Sequence, residues 1–406
     1  MTLTSALPTF TSTPGPTDLV EKAGVVGADL AESLRRLMAA VPGAPHRPTT
    51  LARRLGLSRV IVSRILNSLE RPTPIEFLYD LPGPESLRAI LRAAAEQDVD
   101  APVADAAGRA IDRFDRLIRD DFGTRAALEA LLSTRYPRTR ERFNASSRHE
   151  VFSGMSRLIG VQADVWVTTM LFHPTRNSRD QLDVAAIHGA LALRYLRPGA
   201  SAYFRFGTGT AVAEPSELQS FDLRQYYRNA AGVLRDDVSG DEKVHILVEH
   251  PVGRQSLIDV MVADYRRSAM PRFSAPVPRN KRGATVLPDV PVKMLAFDVL
   301  LHHDVFPGAQ PELVVYNACL RGPAGVNDPR RDLDRMPVQL QLESLGSGVA
   351  SFHSDDIPNY VAMLTELCRR LEWDPASFRG WRCRVQYPVY GWQTFMTFDG
   401  PLDPGT

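Results

Sequence analysis

The chain has 406 residues, 48 Lys+Arg against 47 Asp+Glu, and a formal net charge of +1. That balance excludes a basic coat protein and an acidic solvating chain. With 44% hydrophobic and 23% charged residues, wholesale disorder is excluded too. At roughly 150 residues per domain, the length calls for two or three domains. Such a chain can bury a core without staples.

Only Lys22, Lys243, Lys281 and Lys293 are lysine, so the basic residues are almost all arginine. A GC-rich coding sequence is the simpler explanation of this skew; anion or phosphate recognition by the guanidinium fork is the functional one. The three cysteines, Cys319, Cys368 and Cys383, show no CxxC or Cys/His spacing. They imply a reducing, cytoplasmic compartment. No apolar run approaches the roughly 20 residues needed to span a bilayer, so no membrane partner is expected. Residues 1–17 lack the features of a secretory signal. Their Thr, Ser and Pro content reads as a disordered lead-in.

In chain order, residues 18–41 show helical spacing of Leu19, Val20, Ala23, Leu30, Leu34 and Leu37, stopped by Pro42-Gly43. Two short helical patterns follow, 50–55 and 58–69, joined at Gly56. Residues 71–74, Arg-Pro-Thr-Pro, read as a breaker, and 75–81 as a short extended segment. Pro84 suits the first turn of another helix carrying Leu87, Ile90, Leu91 and Ala94. Residues 101–158 read as mostly helical. Arg135, Arg138, Arg140, Arg142 and Arg148 there face one acid, Glu141. This run suits a solvated helix face, a phosphate-facing edge or an internal docking surface.

The pattern changes near Gly160. Segments 163–172, 183–195, 201–206, 244–249, 292–301, 312–320 and 337–343 are short and rich in β-branched or aromatic residues, which predicts strands. Helices are predicted at 217–234, 254–268 and 357–372, the last capped by Ser354 or Asp355. The predicted fold class is therefore α+β: an all-α domain at 18–97, a helical connector at 98–158 and a sheet-rich domain at 159–406.

Residues 49–69, TTLARRLGLSRVIVSRILNSL, carry the sharpest signal. Ala52 is small where one helix would cross the next. Gly56 allows positive φ in the turn, Leu55 and Leu57 flank it, and Ser58 can cap the second helix. Spacing turns Val62, Ile65, Leu66 and Leu69 inward and Arg59, Val60, Ser63, Arg64 and Asn67 outward. Arginine can bond guanine bidentately, asparagine adenine, and serine a phosphate or base. Arg53 and Arg54 would add backbone contacts.

This segment resembles the helix-turn-helix of bacterial transcriptional regulators. The run Val62-Ser63-Arg64-Ile65-Leu66-Asn67 is similar to the recognition helix of LacI-type repressors. The upstream helix and the extended piece at 75–81 resemble the winged-helix setting of MarR-like or IclR-like regulators, over residues 18–97. The resemblance implies a sequence-specific, double-stranded DNA-binding regulator. Arg53, Arg54, Ser58, Arg59, Val60, Ser63, Arg64 and Asn67 would form its DNA-facing set. It also implies a homodimer reading paired half-sites and a C-terminal domain that senses a small molecule or mediates association. Two other functions fit the residues: an enzyme with a structural helical bundle, and a scaffold using the motif for protein contacts.

Elsewhere the chemistry is sparse. His302-His303-Asp304 follows a strand, where neighbouring side chains point to opposite faces, so it predicts no metal site. Ser344 to Gly348 lacks the first glycine of a nucleophile elbow. No catalytic residue, metal ligand or cofactor is assigned. Residues 381–398 carry Trp381, Tyr387, Tyr390, Trp392, Phe395 and Phe398. They suit a hairpin closing the C-terminal core, or an aromatic-walled ligand pocket using Trp381, Tyr387, Tyr390 and Trp392.

Overall fold

A computed structural model describes residues 15–134, 137–207, 218–227, 234–239, 242–247, 252, 257–273 and 279–402. Most of the lead-in, residues 1–14, lies outside these. Helix α1 (Pro16–Ala40) starts on a proline whose missing N–H costs nothing there, and Asp18 accepts from the Gly15 amide at 3.1 Å. Its buried stripe is Val20, Ala23, Gly27, Leu30, Ala31, Leu34, Leu37 and Met38. Then come α2 (Pro48–Arg54), α3 (Arg59–Leu69), α4 (Pro74–Asp80), α5 (Pro84–Ala95), α6 (Ala101–Arg116), α7 (Arg125–Ser133) and α8 (Pro137–Ile159). Helix α6 runs on into a π-helical stretch, Leu117–Phe122.

The extended segment expected at 75–81 is instead helix α4. Thr73 caps it, accepting from the Glu76 amide at 3.2 Å and donating to the Glu76 carboxylate at 2.9 Å. This reciprocal cap, with Pro74 in the first turn, turns the apparent breaker into a helix start. Ile75, Phe77 and Leu78 are then buried. Among the described residues before Ser147 there is no strand, so the wing of a winged helix is absent there.

The chain divides between Ser146 and Ser147 into two compact units. The helices expected as a connector share the first unit's core. Ala107, Ala110, Ile111, Phe114 and Leu117 join Leu30, Leu34, Leu37 and Phe77 in one cluster. The reason is the apolar stripe on α6, which matches that of α1.

The second unit holds strands β1 (Val161–Pro174), β2 (Gln181–Tyr195), β3 (Ala202–Phe206), β4 (Leu218–Asp222), β5 (Arg235–Ser239), β6 (Glu242–Leu247) and β7 (Ile258–Pro271). It continues with β8 (Lys281–Val286), β9 (Val292–His302), β10 (Glu312–Asn317), β11 (Leu342–Ser347), α9 (Tyr360–Leu371), β12 (Phe378–Gln386) and β13 (Trp392–Asp399). A seven-stranded sheet has the order β11-β12-β9-β1-β2-β7-β4; β10-β13-β8 and β3-β6-β5 form two smaller sheets. Among the described residues, only the β1–β9 pair is parallel within the large sheet.

Period-2 alternation gives the large sheet two buried faces. Val167, Leu171, Ala185, Ile187, Ala263, Ala296 and Leu300 pack with Met363, Leu364 and Leu367 of α9. Trp166, Val184, Ala186, Val260, Phe297 and Val299 pack with Phe204, Phe206 and Leu247 of one small sheet and Met396 and Phe398 of the other.

Several expectations are corrected here. The helix expected at 254–268 is mostly β7, where Ile258, Val260 and Val262 pair with Leu193, Ala190 and His188 of β2 and Val262 also with Asp222 of β4; 254–256 lie outside the described residues. Of the helix at 217–234, residues 218–222 form β4, 224–226 make a short 3-10 turn, and 228–233 lie outside the described residues. The strand expected at 337–343 begins only at Leu342. Helix α9 is preceded by Asn359, in a left-handed conformation, rather than capped by Ser354 or Asp355. Finally, β12 and β13 do not pair: β12 joins the large sheet beside β9, and β13 lies between β10 and β8. Both faces of β12 are buried, so a local hairpin gives way to two different sheets.

Candidate nucleic-acid interface

Helices α2 and α3 are joined by residues 55–58. Leu51 and Ala52 of α2 are buried, as is Leu55. The Leu57 amide reaches back to the Ala52 carbonyl at 3.0 Å. Gly56 has φ +62°, a left-handed conformation that a side chain would strain. The Ser58 hydroxyl accepts from the Val60 amide at 3.3 Å and caps α3. Val62 and Ile65 are fully buried. Leu66 and Leu69 are only half-buried, and Ser68 takes the third inward place, donating to the Ile65 carbonyl at 2.7 Å.

The outward face of α3 carries Arg59, Val60, Arg64 and Asn67, all exposed, and a half-buried Ser63. Val60 is 75% exposed, an aliphatic side chain held in solvent. These five residues, with Arg71, Tyr79, Asp80, Glu129, Ala145 and Ser146, line an open groove of about 830 Å³.

The arginines divide into two kinds. Arg64 donates through Nε to the Asp80 carbonyl at 2.7 Å, and Arg71 pairs with the Asp80 carboxylate at 2.5 Å. Arg125 donates to the carbonyls of Leu78, Tyr79 and Leu81 at 2.5, 3.2 and 3.1 Å. Burial pushes its guanidinium pKa down, against the pull of Glu129. Arg64 and Arg125 thus satisfy the C-terminal carbonyls of α4, and Arg71 pairs with the carboxylate of its last residue. Arg54 donates to the Pro42 carbonyl at 2.5 Å. Arg54 and Arg64 therefore brace the fold, a role that outward spacing alone does not reveal. Among the described residues, Arg47, Arg53 and Arg59 are exposed and make no ion pair. Arg53, Ser58 and Arg59 lie on or beside the turn.

The four aromatics proposed for a pocket meet different neighbours. Trp381 packs 5.2 Å from Phe398 with Arg379 stacked over it at 5.1 Å. Tyr387 meets His149 at 4.9 Å and Phe152 at 5.3 Å. Tyr390 lies beside Cys319, whose thiol points to the Tyr390 carbonyl at 3.9 Å. Trp392 begins β13 opposite Asn317. His302, His303 and Asp304 do converge, contrary to the strand argument. The chain turns after β9, the Val305 amide bonding the His302 carbonyl at 2.8 Å, so the two rings lie 4.0 Å apart. They remain partly or fully exposed.

One cluster went unassigned in the sequence. His188 of β2 and His245 of β6 both place Nε2 on Oδ2 of Asp264 on β7, at 2.6 and 2.7 Å. Burial opposes the charge of Asp264, yet the hydrogen bonds from the two imidazoles outweigh it and hold the carboxyl far below its usual range. The three side chains stand 76 and 19 residues apart in sequence. No local spacing announces them.

No helix among the described residues is long and apolar enough to cross a membrane. No family model matches this sequence, and no curated protein matches it either. A solved structure of a candidate protease from Parabacteroides distasonis is 7% identical, with a TM-score of 0.27 over 59% of this chain. The chain spans 40% of that protein. A likeness this faint carries no argument about fold or activity.

Proposed function

We propose that the first unit binds double-stranded DNA with α3 in the major groove, and that the chain is a transcriptional regulator whose second unit senses a ligand or mediates association. One observation carries this reading. A capped helix, set by a left-handed glycine turn against its neighbour, presents Arg59, Val60, Ser63 and Asn67 on its outer face. A base-reading helix needs such a rigid, side-chain-rich exposed face. Arg59 supplies a guanidinium with no internal partner among the described residues, and Val60 an apolar contact for a thymine methyl. Arg53 adds a backbone-directed charge. Arg64 keeps its Nε on α4 and has only its terminal nitrogens to offer.

The test starts with selection of bound duplexes from a random pool at low salt, followed by fluorescence anisotropy on the enriched sequence. Arg59→Ala should weaken binding by about 1–3 kcal/mol and relax preference at one position. Arg53→Ala should weaken all sequences alike and lower the salt slope by about one. A pool that shows no enrichment, or an Arg59→Ala protein that binds like wild type, rejects the reading. The same enriched site would show whether two chains bind paired half-sites, as a homodimer should.

A further inference from the structure

The buried cluster on β2, β6 and β7 has the composition and convergence of a metal site. His188, His245 and Asp264 are 4%, 2% and 0% exposed. One ligand atom from each lies within 4.8 Å of the others. The register explains the convergence. His188 pairs with Val262 and Asp264 with Ala186, so both project from one face of the large sheet. His245 projects from β6 of the small sheet that covers this face, whose neighbour Phe204 stacks on Trp166 at 5.2 Å. Three strands fix the three ligands more rigidly than loops would.

A second layer orients the first. Asp236 of β5, opposite His245 in register, accepts from its Nδ1 at 2.7 Å. A ligating histidine commonly gives its other ring N–H to a carboxylate in this way. Lys243 pairs with Asp236 at 2.8 Å and reaches the Ser220 hydroxyl at 2.5 Å. Lys243 thereby balances the charge of the Asp236 carboxylate, which stays a support for His245. Ser220 donates to Oδ1 of Asp264, which leaves Oδ2 facing both imidazoles.

We propose that His188, His245 and Asp264 bind a divalent transition-metal cation of the zinc class, with Asp236 holding His245 from behind. Two imidazoles and one carboxylate suit zinc, cobalt and their neighbours better than magnesium or calcium, which prefer all-oxygen shells. Each imidazole would meet the cation through Nε2, released from its hydrogen bond to Asp264, while Nδ1–H of His245 stays on Asp236. Three protein ligands leave a position for a water or a ligand oxygen. A cavity of about 430 Å³ has His245 and its support Asp236 in its wall, with Ser220, Asp259 and Met261. The inference does not rest on DNA binding, and either can fail alone.

The test uses the full-length chain, stripped with a chelator and titrated with Co²⁺ and then Zn²⁺. Wild type should take up one equivalent at this site, show a visible d–d band with Co²⁺, and melt at higher temperature with Zn²⁺. His188→Gln and His245→Gln should each lose that equivalent, with at least about a 100-fold drop in affinity. Asp236→Asn keeps all three ligands and should bind about 10–100-fold more weakly. A His302→Ala/His303→Ala protein should keep the equivalent. Wild type that takes up neither ion overturns the proposal. So does a folded His188 or His245 variant with unchanged affinity, or loss of the equivalent in the His302/His303 protein.

Discussion

Asp289 shows how burial sets the charge of one side chain. It lies in the second unit, its carboxylate 3.2 Å from Nε of Arg205. Burial raises its pKa to about 6, with Arg205 pulling the other way and Glu242 adding to the rise. The folded value lies above that of an unfolded chain, roughly 3.9. The contribution of Asp289 to stability is therefore full below about pH 4 and is lost as pH rises through about 6. Wild type should lose up to about 3 kcal/mol relative to Asp289→Asn between about pH 4 and pH 7. Denaturant melts of both proteins at several pH values measure this; parallel profiles would contradict it. Arg382 shows the opposite balance. Burial opposes its charge, but bonds from its guanidinium to Asp298 at 2.6–3.2 Å, with Tyr360 donating to the same carboxylate, hold it charged. The sequence places Arg382 on the polar side of a half-buried strand. In the fold that side packs beneath α9, and Arg382 is 1% exposed. Alternation was legible there; the second buried face was not, because it depends on a helix that the strand itself does not specify.

At the scale of elements, the α1–α4 contact depends on one missing side chain. A Cβ on Gly27 would lie 2.8 Å from the Pro74 carbonyl and 2.9 Å from Leu78 Cγ. Alanine favours a helix interior over glycine by roughly 1 kcal/mol. Overpacking outweighs that gain here, because the nearest atom is backbone. Gly27→Ala should destabilise the first unit by about 1–3 kcal/mol, read from the denaturant midpoint at constant slope. A more stable variant would show that α4 yields freely. The same α4 explains the largest element-level misreading. Arg-Pro-Thr-Pro suggests a stop, yet Thr73 and Glu76 form a reciprocal cap and Arg64, Arg71 and Arg125 close the other end. A seven-residue helix has little intrinsic stability. It persists because Arg64, Arg71, Arg125 and the face of α1 complete it, and no local window contains Arg125 or α1.

At the scale of the whole chain, each unit has its own core. The helical cluster draws on residues up to Leu132, and the sheet clusters begin at Val161. Calorimetry should therefore resolve two unfolding transitions, of which Gly27→Ala shifts only one. A single transition that moves as a whole would contradict separate folding units. The near-zero net charge conceals a local one. Residues 46–72 contain six arginines against Glu70, so the remainder of the chain is slightly acidic. A compact basic face, rather than a coated surface, is the electrostatic form compatible with the proposed DNA contact.

The sequence by itself determined the class of each part: helices before Gly160, strands after it, and a turn at Gly56 capped by Ser58. These follow from apolar periodicity, turn chemistry and capping, which act over a few residues. Tertiary structure alone decided that Arg54 and Arg64 brace backbone carbonyls, that β12 and β13 belong to different sheets, and that His188, His245 and Asp264 meet. Those outcomes depend on partners 12 or more residues away, beyond the reach of capping and turn chemistry, and a buried polar or charged group takes whichever partner the packing delivers.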